Sequence, residues 1–218
     1  MCPTPRKDLI VLVADANAKF AMLGLLSRSR SLRIREPSAD IYVHPEKDPG
    51  CCLRSHEVLR SFAEAYSHAL VMFDREGCGR DEETRERLEA QVSDRLSRSG
   101  WADRSEVVVL DPEIDIWVWS ASPHVPSVLG WTETGRSLNG WLVREGFLAR
   151  GQTKPSRPKE ALEKAMSEVR KPRSSSLYRQ LAEKVSLGRC EDPAFLKLRS
   201  TLRRWFPASE NVGPATAP

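Results

Sequence analysis

Residues Val71 to Gly79, VMFDREGCG, end an apolar run in Asp74, Arg75, Glu76 and Gly77, with two carboxylates two positions apart. Carboxylate oxygens without histidine or thiolate partners favour a hard divalent cation such as Mg2+ or Mn2+. A cation held in this way polarises a phosphoryl oxygen and orients water for attack. Two further apolar runs also end in acid: DLIVLVA reaches Asp15, and EVVVL reaches Asp111, with Glu113 and Asp115 following in PEIDIW. Brought to one edge, these groups would repel one another unless a cation or water offset their charge. Any one of them taken alone also suits a turn or a helix cap. The coincidence of three acidic strand ends therefore carries the argument.

The elements that must position these acids alternate along the chain. Segment 8–14 reads as a buried strand, and 16–27 as a helix with apolar residues at 18, 20, 22, 23, 25 and 26. ADIYV (39–43) reads as a second strand, PEKDPG (45–50) as a loop, and 55–67 as an amphipathic helix bearing Val58, Leu59, Phe62, Ala65 and Tyr66. ALVMF (69–73) is the third strand, and 81–99 a charged helix with Leu88, Val92 and Leu96 inward. EVVVL (106–110) is the fourth strand, and Pro112 is placed to open a short helix. This alternation predicts an α/β fold, a mainly parallel central sheet with helices on both faces. Residues 121–158, rich in Pro, Gly, Trp and Ser, read as irregular, and three helical patterns follow at 159–170, 175–186 and 193–205. The expected organisation is an α/β domain over 1–150 and a basic helical C-terminal extension over 151–218, its last ~10 residues disordered.

Composition narrows the classes of function. The chain has 218 residues, 29% charged and 40% hydrophobic, which suits a soluble globular protein. No apolar run approaches the roughly 20 residues that span a bilayer, and the short run Leu9–Ala14 is followed by Asp15 rather than a cleavage site. A cytoplasmic location with no membrane partner is expected. Five cysteines, an odd number without CxxC spacing, argue against both a disulfide framework and a zinc site, and the four histidines are scattered. Charge is uneven: residues 151–206 hold 14 Lys and Arg against 6 Asp and Glu, whereas 1–150 hold 20 against 23. Such asymmetry points to nucleic acid or an acidic protein surface, or else to an ordinary solvated helical face. The candidates for a phosphate-tracking surface are Lys154, Arg157, Lys159, Lys171 and Arg173, with Arg203 and Arg204 before Trp205. No P-loop motif is present.

A strand, an acid and a helix, followed by a strand that ends in acid-x-acid-Gly, resembles the Toprim fold of topoisomerases, primases and OLD-family nucleases. Closer still is a Toprim-like family of uncharacterised bacterial proteins with a first strand ending in Glu-Gly, a DxDG motif and a later P-E-x-E-x-W helix. VADANAKFAMLGLL, FDREG and DPEIDIW occupy those places in order within residues 8–120. The resemblance implies that Asp15 is a general acid or base, that Asp74 and Glu76 are catalytic and bind Mg2+ (or Mn2+), and that Glu113 and Asp115 are further metal ligands. Three positions depart from the pattern: Asp15 stands for Glu, Ala16 for Gly, and Glu76 for the second Asp. The resemblance also implies a component of a methylation-associated anti-phage defence system, working beside an ATPase or methyltransferase-linked proteins. Two functions follow as expectations. One is an Mg2+-dependent nuclease or phosphotransfer subunit acting on nucleic acid; the other is a catalytically inactive Toprim-like scaffold that binds a partner ATPase or modification enzyme.

Overall fold

Leu9 to Val13 are buried on both sides of the strand they form, as a run of Leu, Ile and Val must be when helices cover both faces of a sheet. A computed structural model describes residues 5–149 and 151–208. Four strands, β1 (Lys7–Val13), β2 (Ala39–Val43), β3 (Tyr66–Asp74) and β4 (Ser105–Leu110), form one all-parallel sheet in the order β2-β1-β3-β4. Val13 pairs with Val43 and with Met72, and Asp74 pairs with Leu110, so the C-terminal strand ends share one edge. The chain leaves β1 for β2 on one side and returns to β3 on the other. At such a reversal the loops part, which makes the ends of β1 and β3 the place where a ligand crevice is expected in an open parallel sheet.

Alternation along the strands divides the core. One face, with Ile10, Leu12, Val71 and Phe73, is covered by α3 (Lys47–Arg60) and α4 (Arg85–Leu96). The other, with Leu9, Val11, Val13, Leu70 and Met72, lies under α1 (Ala16–Leu26), and α2 (Ser29–Leu32) follows α1 with Leu32 in the same cluster. α1 is apolar nearly all round, as a helix covered on two sides must be. Its second cover is α8 (Ser175–Lys184): a Cβ on Gly24 would lie 2.7 Å from the Arg179 carbonyl and 2.8 Å from Ala182 Cβ.

The residues expected as a C-terminal extension complete this face. α7 (Pro158–Glu168), α8 and α9 (Pro193–Trp205) bury Leu162, Leu181 and Leu198 in the same cluster as β1. The expectation for the last ~10 residues falls on 209–218, outside the described residues. Segment 121–158, expected to be irregular, contains α5 (His124–Leu129) and α6 (Leu138–Arg144), with Val125, Val128 and Leu129 inward. Among the described residues the chain thus has nine α-helices.

Three local expectations are corrected. PEKDPG is not a loop: α3 begins at Lys47, and Pro49 sits in its first turn, where a missing N–H costs no helical hydrogen bond. The helix ends at Arg60 instead of reaching residue 67, because Tyr66 already pairs with Lys7 in the sheet. Nor does Pro112 open a helix. It follows a cis bond from Asp111, Glu113 is extended, and a 3-10 turn begins at Ile114 and runs to Trp117.

Candidate functional site

Each strand delivers an acid to the crevice by its own local logic. Asp15 follows β1 as the N-cap of α1, its Oδ1 accepting from the Ala18 amide at 2.8 Å. Asp74 ends β3, and its Oδ1 accepts from the Ile114 amide at 2.9 Å, which ties the strand to the segment after β4. Asp48, in the first turn of α3, accepts from the Asp74 amide at 2.8 Å. Glu113 and Asp115 arrive after β4, both buried.

These groups sense one another. Burial, and then the charges of Asp48, Asp15, Asp115 and Glu113, hold the Asp74 carboxyl well above the usual carboxylate range. Asp74 is hemmed in by protein yet keeps part of its surface in solvent, as a group at the floor of a cleft does. Burial raises Asp48 too, with Asp15 adding to the effect and Lys159 opposing it. Burial and the neighbouring Asp115 push Glu113 up to about 7.

The cations at this edge pair with Asp115, Glu113 and Asp111. Arg173 Nη2 donates to both oxygens of Asp115 at 2.8 and 2.9 Å, and the Tyr178 hydroxyl donates to Asp115 Oδ1 at 2.7 Å. Burial still raises Asp115, against the pull of Arg173 and Tyr178. The Lys159 amide donates to Glu113 Oε1 at 3.1 Å, and its Nζ lies 3.7 Å from Oε2. Among the described residues, no Lys or Arg forms an ion pair with Asp15, Asp48 or Asp74, whereas Asp111 is paired with Arg75 at 2.8 Å.

Of the residues expected from the sequence, the structure brings Asp15, Asp74, Glu113 and Asp115 to one edge. Glu76 lies on the exposed turn after β3, where its charge acts on Glu113. Asp48 was hidden in a stretch of turn residues. Its only signal is an acid five residues past the second strand, the same edge at which the other strand ends carry theirs.

The expected ligand set of Asp74, Glu76, Glu113 and Asp115 does not form a cage: among the described residues, no group of three or more Asp, Glu, His or Cys is placed to hold a metal ion. Mg2+, however, is commonly held through one or two carboxylates with water completing its shell. Asp48, whose Oδ1 accepts from the Asp74 main-chain amide, and Asp74, on whose carboxyl the Asp48 charge acts, have no ion-pair partner among the described residues and fit that simpler requirement.

The expected nucleic-acid residues are largely engaged within the chain. Lys154 is 3.1 Å from Asp192, Arg157 is 2.7 Å from Glu160, and Arg204 is 3.0 Å from Glu106. Lys171 Nζ donates to the Val128 carbonyl at 2.9 Å and Arg203 Nε to the Leu32 carbonyl at 2.7 Å, while Lys159 and Arg173 serve the acidic edge. No described helix is long and apolar enough to cross a membrane. No protein-family model, curated protein or solved structure matches the chain.

Proposed function

We propose that this protein is a Toprim-like, Mg2+-dependent nuclease or phosphotransfer subunit that acts on nucleic acid as part of an anti-phage defence assembly. The observation that carries this reading is the acidic edge at the ends of β1 and β3, where the charges of Asp15 and Asp48 act on Asp74 and none of the three has an ion-pair partner among the described residues. The order of motifs along the chain, FDREG between VADANAK and DPEIDIW, supports the family assignment and, through it, the defence setting and the ATPase or methyltransferase-linked partners.

In this reading Asp74 and Asp48 would hold Mg2+ or Mn2+, which when bound polarises a phosphoryl oxygen. Asp15 spends Oδ1 on the Ala18 amide, which fixes the carboxyl and leaves Oδ2 to take a proton from water or give one to the leaving oxygen. Lys159, exposed at the rim beside Glu113, offers an approaching phosphate a positive charge. Glu113 and Asp115, already held by Lys159 and Arg173, position the edge and leave ligation to Asp48 and Asp74.

A second reading has its own observation. The Arg173–Asp115 contact, one Nη2 reaching both carboxylate oxygens, neutralises within the chain an acid the resemblance assigns to metal, and this favours a catalytically inactive scaffold that binds a partner ATPase or modification enzyme. One experiment separates the two. Mn2+ is titrated calorimetrically into the wild type and the Asp48→Asn/Asp74→Asn variant, and both are assayed on plasmid, single-stranded DNA and RNA. Binding and cleavage present in the wild type and lost together in the variant support the enzyme. A wild type that binds no Mn2+ leaves the scaffold.

A further inference from the structure

At the end of α1 away from the acidic edge, the segment SRSRSLRIR (27–35) places Arg28, Arg30 and Arg33 around α2. Arg199 and Arg203 of α9 join them: Arg203 is bonded to the Leu32 carbonyl and feels the charges of both Arg199 and Arg33. Among the described residues, none of these five arginines forms an ion pair with a carboxylate; their neighbours Arg35 and Arg204 do, with Asp8 and Glu106. Three are fixed through main-chain carbonyls instead. Arg28 donates to Ala182 and Val185 at 2.9 and 2.7 Å, Arg199 to Leu187 at 3.0 Å, and Arg203 to Leu32 at 2.7 Å. A guanidinium anchored by a carbonyl keeps its charge and further N–H donors. Burial, followed by the like charges of Arg199 and Arg33, lowers the Arg203 pKa, so an anion here would relieve repulsion as well as gain contacts.

We propose that this arginine end binds the phosphate backbone of nucleic acid. The arginines are spread over two elements, and Arg199 and Arg203 are four residues apart on α9, about 6 Å along the axis, which suits successive phosphates better than a single anion. Arg28 and Arg30 line a surface recess with Ser29 and Ser31, whose hydroxyl and guanidinium donors match phosphate oxygens; Glu36 is the one carboxylate on its wall. A recess accepts a strand more readily than the flat face of a bilayer. The nearby aromatics are already engaged, Trp205 stacked on His68 and Phe206 buried beneath Arg35, so no free ring is offered for base stacking. Recognition is therefore of the backbone, independent of sequence. The surface overlaps the residues considered above only at Arg203, and it does not depend on the acidic edge being catalytic.

The test is fluorescence anisotropy of a short labelled DNA duplex over a salt series, in EDTA, so that failure of metal binding at the acidic edge cannot affect the result. Arg30 and Arg33 are exposed and make no side-chain hydrogen bond, so Arg30→Glu/Arg33→Glu retains the fold. Arg60→Glu/Arg98→Glu, which reverses the same number of charges elsewhere, is the control. The expected result is binding by the wild type and the control, with the Arg30/Arg33 variant weakened by about tenfold or more and its salt slope reduced by about 1.8, at about 0.9 per lost phosphate contact. The proposal is overturned if the wild type binds no duplex, single strand or RNA, or if the control loses as much as the variant. Equal or tighter binding to phosphatidylglycerol vesicles or to oligoglutamate would overturn it as well.

Discussion

The two ends of α1 solve their charge problems in opposite ways. At the C-terminal edge of the sheet Lys159, Arg173 and Arg75 are committed to Glu113, Asp115 and Asp111, and among the described residues Asp15, Asp48 and Asp74 are left without an ion pair. At the other end Asp8 and Glu106 take Arg35 and Arg204, and the remaining arginines are left facing one another. An eleven-residue helix, about 16 Å long, separates the two regions. Folding alone would be better served by letting these surplus charges meet. Their segregation is what the two proposals rest on, a cation at one end and a polyanion at the other.

The comparison breaks most visibly where a pair is most buried. Asp115 is 2% exposed, and Arg173 is its one ion-pair partner among the described residues. Arg173→Ala should cost about 3–5 kcal/mol in urea denaturation, because it leaves a buried carboxylate with only the Tyr178 hydroxyl. Adding Asp115→Asn should recover much of the loss. A cost below about 1 kcal/mol would place Asp115 outside the class of buried, charge-dependent pairs.

A smaller effect sharpens the comparison through pH. Glu113 is pushed up to about 7 from an ordinary value of 4.5, so between those values the folded protein holds a proton that the unfolded chain has released. Stability should therefore fall as pH rises from 4.5 through about 7, and be level above that as far as this group is concerned. In Glu113→Gln this share of the decline disappears. In EDTA, the variant should gain about 1–2 kcal/mol on the wild type between pH 5 and pH 8, allowing for solvent screening. An equal difference at both pH values would refute the assignment. Asp8, held far below the usual carboxylate range by its hydrogen bond from Arg35, acts in the opposite sense: its stability is present above the ordinary value and is lost on acidification.

Much of this was legible because period and composition act locally. The strands are continuous apolar runs, α8 and α9 have clear helical stripes, and the acids after β1, β3 and β4 stand where a parallel sheet must turn. The failures are long-range or masked. Arg173 meets Asp115 across 58 residues, so a basic run that looked free is partly neutralised by the fold. Asp48 was obscured by Pro49 and Gly50, which read as loop punctuation. Here Pro49 is tolerated in a first turn, while a Cβ on Gly50 would collide with the His44 ring 2.0 Å away. The acid-x-acid spacing of Asp74 and Glu76 suggested a joint site, but β3 stops at Asp74 and the turn that follows carries Glu76 into solvent. SRSRSLRIR is unmarked in the sequence because serine-arginine alternation has no secondary-structure period. Its meaning depends on α9 arriving beside it from the far end of the chain.

The smallest expected effect on stability is also the one that tests whether the arginine end exists for a ligand. Arg30 is exposed on α2 and contributes no side-chain hydrogen bond or ion pair among the described residues, and alanine favours the helical backbone. Arg30→Ala should therefore shift the urea midpoint by an amount equivalent to no more than about 0.5 kcal/mol, with relief of like charge making a small gain the favoured sign. Arg173 and Arg30 are the same residue type in the same chain, and truncating them should differ in cost by several kcal/mol because only the first has a carboxylate to satisfy. A large loss at Arg30 would mean that it supports the fold through a partner, and the contrast between the two ends would collapse. A neutral change in stability accompanied by weaker duplex binding would show an arginine kept for something outside the chain.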